Sequence, residues 1–173
     1  MSQDNEKMIY LETERLILRD YRKDDFFEYY RLKSDPETMY YLQDIQMITK
    51  EEAYEDFHMV LEDMKKPDRK FYFLHIELKD THEQVGSVGY TVTSDTPIGK
   101  MVGAGYFIYP KFWGKGYTTE ALQAIIKFMF EEVQVEIIRA QHDIANPNSG
   151  KVMKKCGMIF EGTLRSAFKN NTG

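Results

Sequence analysis

Two glycines, Gly114 and Gly116, lie between an aromatic run, Tyr106-Phe107-Ile108-Tyr109, and the threonines Thr118 and Thr119, which open an apolar helical pattern. Neither glycine has a Cβ, so the chain can bend tightly there and a ligand can come close to the backbone. The helix start behind them offers N–H groups with no intrahelical partner and the positive end of the peptide dipole. Together these suit a phosphate or pyrophosphate. Counting excludes two common anion motifs. A Gly-x-x-x-x-Gly-Lys-Ser/Thr loop needs glycine at 109 and a hydroxyl residue at 116, where this chain has Tyr109 and Gly116. A Gly-x-Gly-x-x-Gly fingerprint needs glycine at 119, where Thr119 stands.

Other groups with chemical potential are scattered. Ser149 follows Asn146-Pro147 at a second helix start, where a hydroxyl either caps the helix or serves a ligand. Cys156 is the only cysteine, so the chain has no disulfide framework, and no His-Asp pair is placed by sequence to activate it. His58, His75, His82 and His142 show no metal-ligand spacing. His75, Glu77 and Ser87 sit on adjacent predicted strands and read either as groups acting through water or as ordinary strand residues.

The elements that must position these residues follow from periodicity. Tyr10 to Arg19 reads as a first strand, with Leu16 and Leu18 on one face. Asp24 or Asp25 caps a helix that ends near Ser34, before Asp35-Pro36. Thr49-x-x-Glu52 is a capping box, and Ala53, Phe57, Val60, Leu61 and Met64 recur at helical spacing up to Pro67. Three strands follow, Phe71 to Leu78, Val85 to Thr93 and about Met101 to Tyr109, joined by short polar loops as an antiparallel meander. A helix from Thr118 or Thr119 to about Glu132 carries an apolar set too wide for a surface helix, so it packs on the sheet. Val135 to His142 then forms a strand parallel to the one before the helix, because strand, helix, strand implies a right-handed crossover. Asn146 starts a short helix closed by Gly157, and Met158 to Ala167 begins one more strand.

The chain of 173 residues is long enough for one domain with a sizeable core. Its net charge of −5 argues against a nucleic-acid partner, which needs clustered Lys and Arg, and suits a cationic or amine substrate. No apolar run is long enough to span a bilayer, and Met1 to Lys7 is too polar for a signal peptide, so a cytoplasmic location and no membrane partner are expected. Residues 1–8 read as a flexible tail.

Four blocks in order resemble the GNAT N-acetyltransferases, and most closely their RimJ/RimL-like branch, which includes acetylases of ribosomal-protein N-termini. Trp113-Gly114-Lys115-Gly116-Tyr117 with Thr119-Glu120-Ala121 is similar to the branch's cofactor turn. Glu14-Arg15-Leu16-Ile17-Leu18-Arg19 resembles its opening strand, and Asp35-Pro36 the end of its first helix. Asn146-x-x-Ser149 through Lys155-Cys156-Gly157-Met158 and Glu161-Gly162 resembles its last helix and strand. The resemblance covers residues 12–168.

The resemblance implies an α/β GNAT fold, a mixed twisted sheet with helices on both faces and a splayed strand pair admitting acetyl-CoA. It implies acetyl transfer to a primary amine by direct attack, without a metal or covalent enzyme intermediate. The favoured acceptor is a protein N-terminus, with a polyamine, amino acid or aminoglycoside second. A CoA-binding module with little turnover is the non-enzymatic alternative. Backbone N–H groups from Gly114 to Thr119, through Lys115, Gly116, Tyr117 and Thr118, are expected to hold the pyrophosphate beside Trp113. Ile108 and Tyr109 are expected to pair with the pantetheine. Asn146 and Ser149 are expected at the cofactor, with Ser149 donating to the leaving sulfur. Lys111, Lys115 and Lys151 read either as phosphate neighbours or as solvated lysines.

The chain also departs from the branch. Gly103 replaces a strand Glu, Met153 stands where many GNAT enzymes carry a tyrosine, and Thr118 replaces a smaller residue. Gly173 arrives before the family's last strand, which is expected to leave the sheet short, or filled by a neighbouring chain as in a homodimer.

Overall fold

The computed structural model describes residues 8–167. All of the expected N-terminal tail except Met8 lies outside them. The single strand expected over Tyr10 to Arg19 is instead a hairpin, β1 (Tyr10–Glu12) and β2 (Leu16–Arg19). Thr13 breaks it. Its N–H donates to the Leu16 carbonyl at 3.0 Å and its Oγ1 accepts from the Leu16 N–H at 3.0 Å, closing a turn that a propensity reading does not see.

A turn of 3₁₀ helix leads into α1 (Phe26–Ser34), and α2 (Lys50–Asp63) begins at the predicted capping box. Thr49 Oγ1 accepts the Glu52 N–H at 3.2 Å and Glu52 Oε2 accepts the Thr49 N–H at 3.1 Å. The meander is β3 (Phe71–Leu78), β4 (Gln84–Thr96) and β5 (Gly99–Ile108), followed by α3 (Tyr117–Glu131), β6 (Ile137–Ala140) and α4 (Pro147–Lys155). Gly157, at φ +84°, closes α4. Its N–H reaches the Lys154 carbonyl and the Met158 N–H reaches the Met153 carbonyl, the double bond of a Schellman C-terminus.

Among the described residues the sheet has six strands in the order β1-β2-β3-β4-β5-β6, antiparallel except for the parallel pair β5 and β6. Under α3, Leu16, Leu18, Leu74, Ile76, Val88, Tyr90 and Val102 meet Leu122, Ile125 and Met129, all fully or almost fully buried. The opposite face carries Tyr21, Tyr29 and Phe57 beneath α1 and α2, with Leu32, Met39 and Phe107 beside them. Each fully buried Leu or Ile contributes roughly 1.5–3 kcal/mol, so the α3 face alone holds α3 and the turn before it firmly in place.

The strand expected over Met158 to Ala167 is not formed. A strand persists only where a neighbour pairs its N–H and C=O groups, and no described strand does so; Ile159 and Phe160 stay exposed. The β6 strand is also shorter than expected, because its parallel ladder with β5 runs only from Met101↔Ile137 to Ala104↔Ala140.

Candidate functional site

Beyond Ala104 and Ala140 the two parallel strands part. From Gly105 to Ile108, β5 is paired only with β4. Antiparallel pairing alternates the direction of the backbone polar groups. The Tyr109 N–H donates to the Val85 carbonyl at 3.0 Å, so the polar groups of Tyr106 and Ile108 turn the other way, toward the gap. A cleft of about 820 Å³ opens there. Gly105 to Ile108 line one wall, Gln141 to Asp143 the other, the first turn of α4 the roof and the glycine turn the far end.

The glycine turn is held open by its backbone. Gly114 and Gly116 have φ of +71° and +83°, which side chains with a Cβ rarely adopt. Among the described residues, none of the N–H groups of Gly114, Lys115, Gly116, Tyr117, Thr118 or Thr119 donates to a protein acceptor. The first helical bond closes only at Glu120, to the Gly116 carbonyl at 3.0 Å. Six consecutive donors without a protein acceptor thus lead into a fifteen-residue helix, and four of their residues, Gly114, Gly116, Thr118 and Thr119, line the cleft, giving it a positive cradle at that end.

A brace that sequence reasoning missed holds that cradle. Glu120 Oε1 accepts from Thr13 Oγ1 at 2.6 Å and from the Arg15 N–H at 2.8 Å, and Glu120 Oε2 pairs with the Arg15 guanidinium at 2.7 Å. Arg15 in turn donates to the Lys115 carbonyl at 3.0 Å and lies over the Tyr117 ring at 4.4 Å. Partial burial pushes the Glu120 carboxyl up, but the bonds from Thr13 and Arg15 outweigh it and hold it below the usual carboxylate range. Opposite charges on two separately recognisable motifs were the available signal.

Asn146 Oδ1 caps α4 by accepting the Ser149 N–H at 3.3 Å. The Ser149 hydroxyl meets the Tyr106 phenol at 2.8 Å, and the phenol also lies 2.9 Å from the Ser149 carbonyl. Burial pushes the Tyr106 phenol up to about 12, although the hydrogen bond with Ser149 lowers it slightly, so Tyr106 keeps its proton at neutral pH. Tyr106 anchors α4 to β5 and fixes the Ser149 hydroxyl.

The cleft thus gathers Ile108, Trp113, Gly114, Gly116, Thr118, Thr119, Asn146 and Ser149. Three other expected site residues have side chains outside it. Tyr109 turns toward β4, where its hydroxyl reaches Gln84 at 3.3 Å; Tyr117 packs on Arg15 and Phe112; and Lys115 lies over the Phe112 ring. The expected pairing of Tyr109 with a ligand strand is therefore corrected, since the Val85 carbonyl already takes its N–H. Ile108 keeps its place, although its carbonyl is taken by the Trp113 indole at 2.8 Å. Lys111 pairs with Glu83, while Lys151 lines the cleft.

His75, Glu77 and Ser87 are not cleft residues. They lie on the sheet face under α1 and α2, where burial pushes the His75 imidazole down to about 4 and keeps it neutral. Cys156 is half-buried with its thiol pushed up to about 11 by that burial, far from a nucleophile's range. Tyr40 and Tyr41 line the cleft; Phe57 is core, and Tyr54 packs against Phe26. No group of acidic, histidine or cysteine side chains suited to a metal ion occurs among the described residues, and no described helix is long and apolar enough to cross a membrane.

Comparison with known proteins agrees with this architecture. The model of an acetyltransferase (GNAT) domain matches residues 15–159. An uncharacterised N-acetyltransferase, p20, of Bacillus licheniformis is 31% identical over 90 residues, 52% of this chain and 49% of that protein, so the match spans about half the relative's length. The ribosomal-protein-S5-alanine acetyltransferase of Vibrio fischeri superposes with a TM-score of 0.81 at 20% identity, covering 94% of this chain and 90% of the other. The spermidine N-acetyltransferase of Vibrio cholerae, solved with CoA and spermine, gives 0.78 at 19% identity, covering 92% and 89%. At those identities the two structures speak for the fold. With a family model spanning most of the chain and the splayed β5–β6 pair in place, this protein belongs to the GNAT acetyltransferase family.

Proposed function

We propose that the protein is an acetyl-CoA-dependent N-acetyltransferase that moves an acetyl group to a primary amine, with a protein N-terminal α-amine as the favoured acceptor. The observation that carries the reading is the row of unpaired N–H groups from Gly114 to Thr119 at the end of the β5–β6 cleft. That cradle suits the pyrophosphate, the outward backbone of Tyr106 and Ile108 suits the pantetheine, and Asn146 and Ser149 face the same space. Acetyl-CoA supplies the activated thioester when bound.

The chain's own groups then divide the work. Outward N–H groups of β5 polarise a carbonyl laid beside them. The Ser149 hydroxyl, steadied by Tyr106, is placed to donate to a departing sulfur. A net donation by the Tyr106 phenol is disfavoured. Its proton is held to about 12 against a thiol near 8.5, a gap of roughly 3.5 units or about 5 kcal/mol, so Tyr106 acts by positioning Ser149. The acceptor preference follows similar arithmetic: freeing a lysine-like ammonium at neutral pH costs roughly 4–5 kcal/mol, an α-amino group only about 1 kcal/mol. A site without the strand carboxylate, which is Gly103 here, suits the easier nucleophile.

A second reading, a small cationic amine, is favoured by Glu37 and Asp44. Both line the cleft and form no ion pair among the described residues. The test is calorimetric binding of acetyl-CoA, followed by mass spectrometry of products from a panel of N-terminal peptides and small amines. Peptide-only products support the first reading and polyamine-only products the second. Tight binding without product on any amine would leave a CoA-binding module and overturn both.

A further inference from the structure

Strand β5 offers no proton acceptor, because Gly103 has no side chain. A Cβ added there would meet only Thr93 Cγ2, at 3.6 Å. Across the cleft, just beyond β6, stands an imidazole that the reading above does not use. His142 lines the cleft, and its Nδ1 lies 2.8 Å from the Asp143 carbonyl. A carbonyl oxygen only accepts, so Nδ1 carries the proton, and in the neutral ring Nε2 is left with a free lone pair. No protein donor to Nε2 occurs among the described residues.

The seat for this ring is built. Gly150 lies inside α4, where glycine weakens a helix, and it has no left-handed backbone to explain it. A Cβ at Gly150 would stand 2.6 Å from His142 Nε2 and 2.9 Å from its Cε1, closer than atoms can approach. Gly150 thus opens the space that the ring fills. The next residue back along the helix is Ser149, whose hydroxyl faces the same cleft. Charged groups that line the same cleft are Asp143 from its own connection, Lys151 and Lys155 from α4, and Glu37 and Asp44 from the α1–α2 connection.

We propose that His142, held in its Nδ1–H form and seated against Gly150, is the catalytic base that takes the proton from the acceptor amine through Nε2. The inference rests on the acetyltransferase reading above. The proton balance closes. The ammonium gives one proton to Nε2, which releases it to solvent. The nitrogen lone pair forms the C–N bond while the C–S bond breaks, and the second N–H proton ends on the departing sulfur by way of Ser149.

Two variants and two kinds of readout test this. In His142→Gln, kcat falls about 100-fold, in line with loss of a general base, while acetyl-CoA affinity stays within about twofold. The defect shrinks with an acceptor whose amine is already neutral at the assay pH, since such an amine needs no base. In Gly150→Ala the added methyl displaces the ring, and kcat falls similarly while thermal stability is kept. Independently of turnover, ¹⁵N NMR of the histidine ring in the ligand-free protein reports the Nδ1–H form for His142, and that signal changes in Gly150→Ala. Unchanged kcat in His142→Gln, or an equal defect for neutral and charged amines, overturns the assignment, as does an Nε2–H ring. Absence of transfer by the wild type to every amine would instead overturn the reading on which the inference rests, while the NMR signature still reports the seat.

Discussion

Replacing Gly116 by valine isolates what the cradle contributes. At φ +83° a β-branched residue costs about 1–2 kcal/mol, and its Cβ would also stand 3.3 Å from Arg15 Nη2. If the backbone held its shape, the whole effect would be a stability loss, seen as a fall in Tm of roughly 2–8 °C for a domain of this size. The strain is relieved by rotating the Lys115–Gly116 peptide so that φ of residue 116 becomes negative, and that rotation turns the N–H of residue 116 out of the cradle. A hydrogen bond to a charged group contributes about 1.5–3 kcal/mol, so losing this one weakens acetyl-CoA by roughly 10- to 10²-fold. Gly157→Val is the control. Gly157 has nearly the same φ, +84°, with no atom within 4 Å of an added Cβ, and it lies at the end of α4 outside the cleft. Calorimetric titration of both variants should show similar losses of Tm and a large loss of affinity only at Gly116. Affinity within about threefold of wild type for Gly116→Val would refute the cradle as the pyrophosphate site.

Other consequences can be measured directly. Tyr106→Phe frees the Ser149 hydroxyl and should lower kcat by one to two orders of magnitude with acetyl-CoA affinity nearly unchanged; Ser149→Ala should do the same, and the double variant should be no worse than either single, because the two act as one unit. Glu120→Gln should lower Tm at neutral pH. Because the Glu120 carboxyl titrates below its unfolded value, its contribution is complete above that unfolded value and is lost as pH falls through the depressed one. The Tm gap between wild type and variant should therefore close on acidification. With its thiol pushed up to about 11, Cys156 is about one part in 10⁴ thiolate at pH 7, so iodoacetamide should label the folded protein slowly and Cys156→Ala should retain full turnover. Phe57→Ala, which empties the cluster beneath α1 and α2, should cost about 3–5 kcal/mol, measurable as a shift in the urea midpoint.

Much of the scaffold was legible in the chain because the signals were local. Alternation marked β3, a capping box marked the start of α2, and the Asn146 and Gly157 punctuation bounded α4, each carried by residues within a turn of one another. Where the reading failed, the cause was a local turn bond that propensity does not register, a ladder partner that was absent, or a partner distant in the chain. The Tyr10 to Arg19 run was split by Thr13 bonding to Leu16, and Met158 to Ala167 had strand-like residues but no ladder to join. Tyr109 lay in the right block, yet its N–H was committed to Val85, a pairing set by the β4–β5 register.

What the residues determine by themselves is the potential of the glycine turn. Left-handed backbone at Gly114 and Gly116 before a helix start yields unpaired donors whatever surrounds them, because glycine geometry and helix ends are local properties. What only tertiary structure decides is which groups meet there. Arg15 reaches Glu120 across 105 positions of chain, Tyr106 finds Ser149 across 43, and His142 occupies the hollow left by Gly150. Those juxtapositions depend on β5 and β6 parting after Ala104 and Ala140. Sequence spacing carries no record of such contacts, since packing rather than periodicity sets the distance between elements.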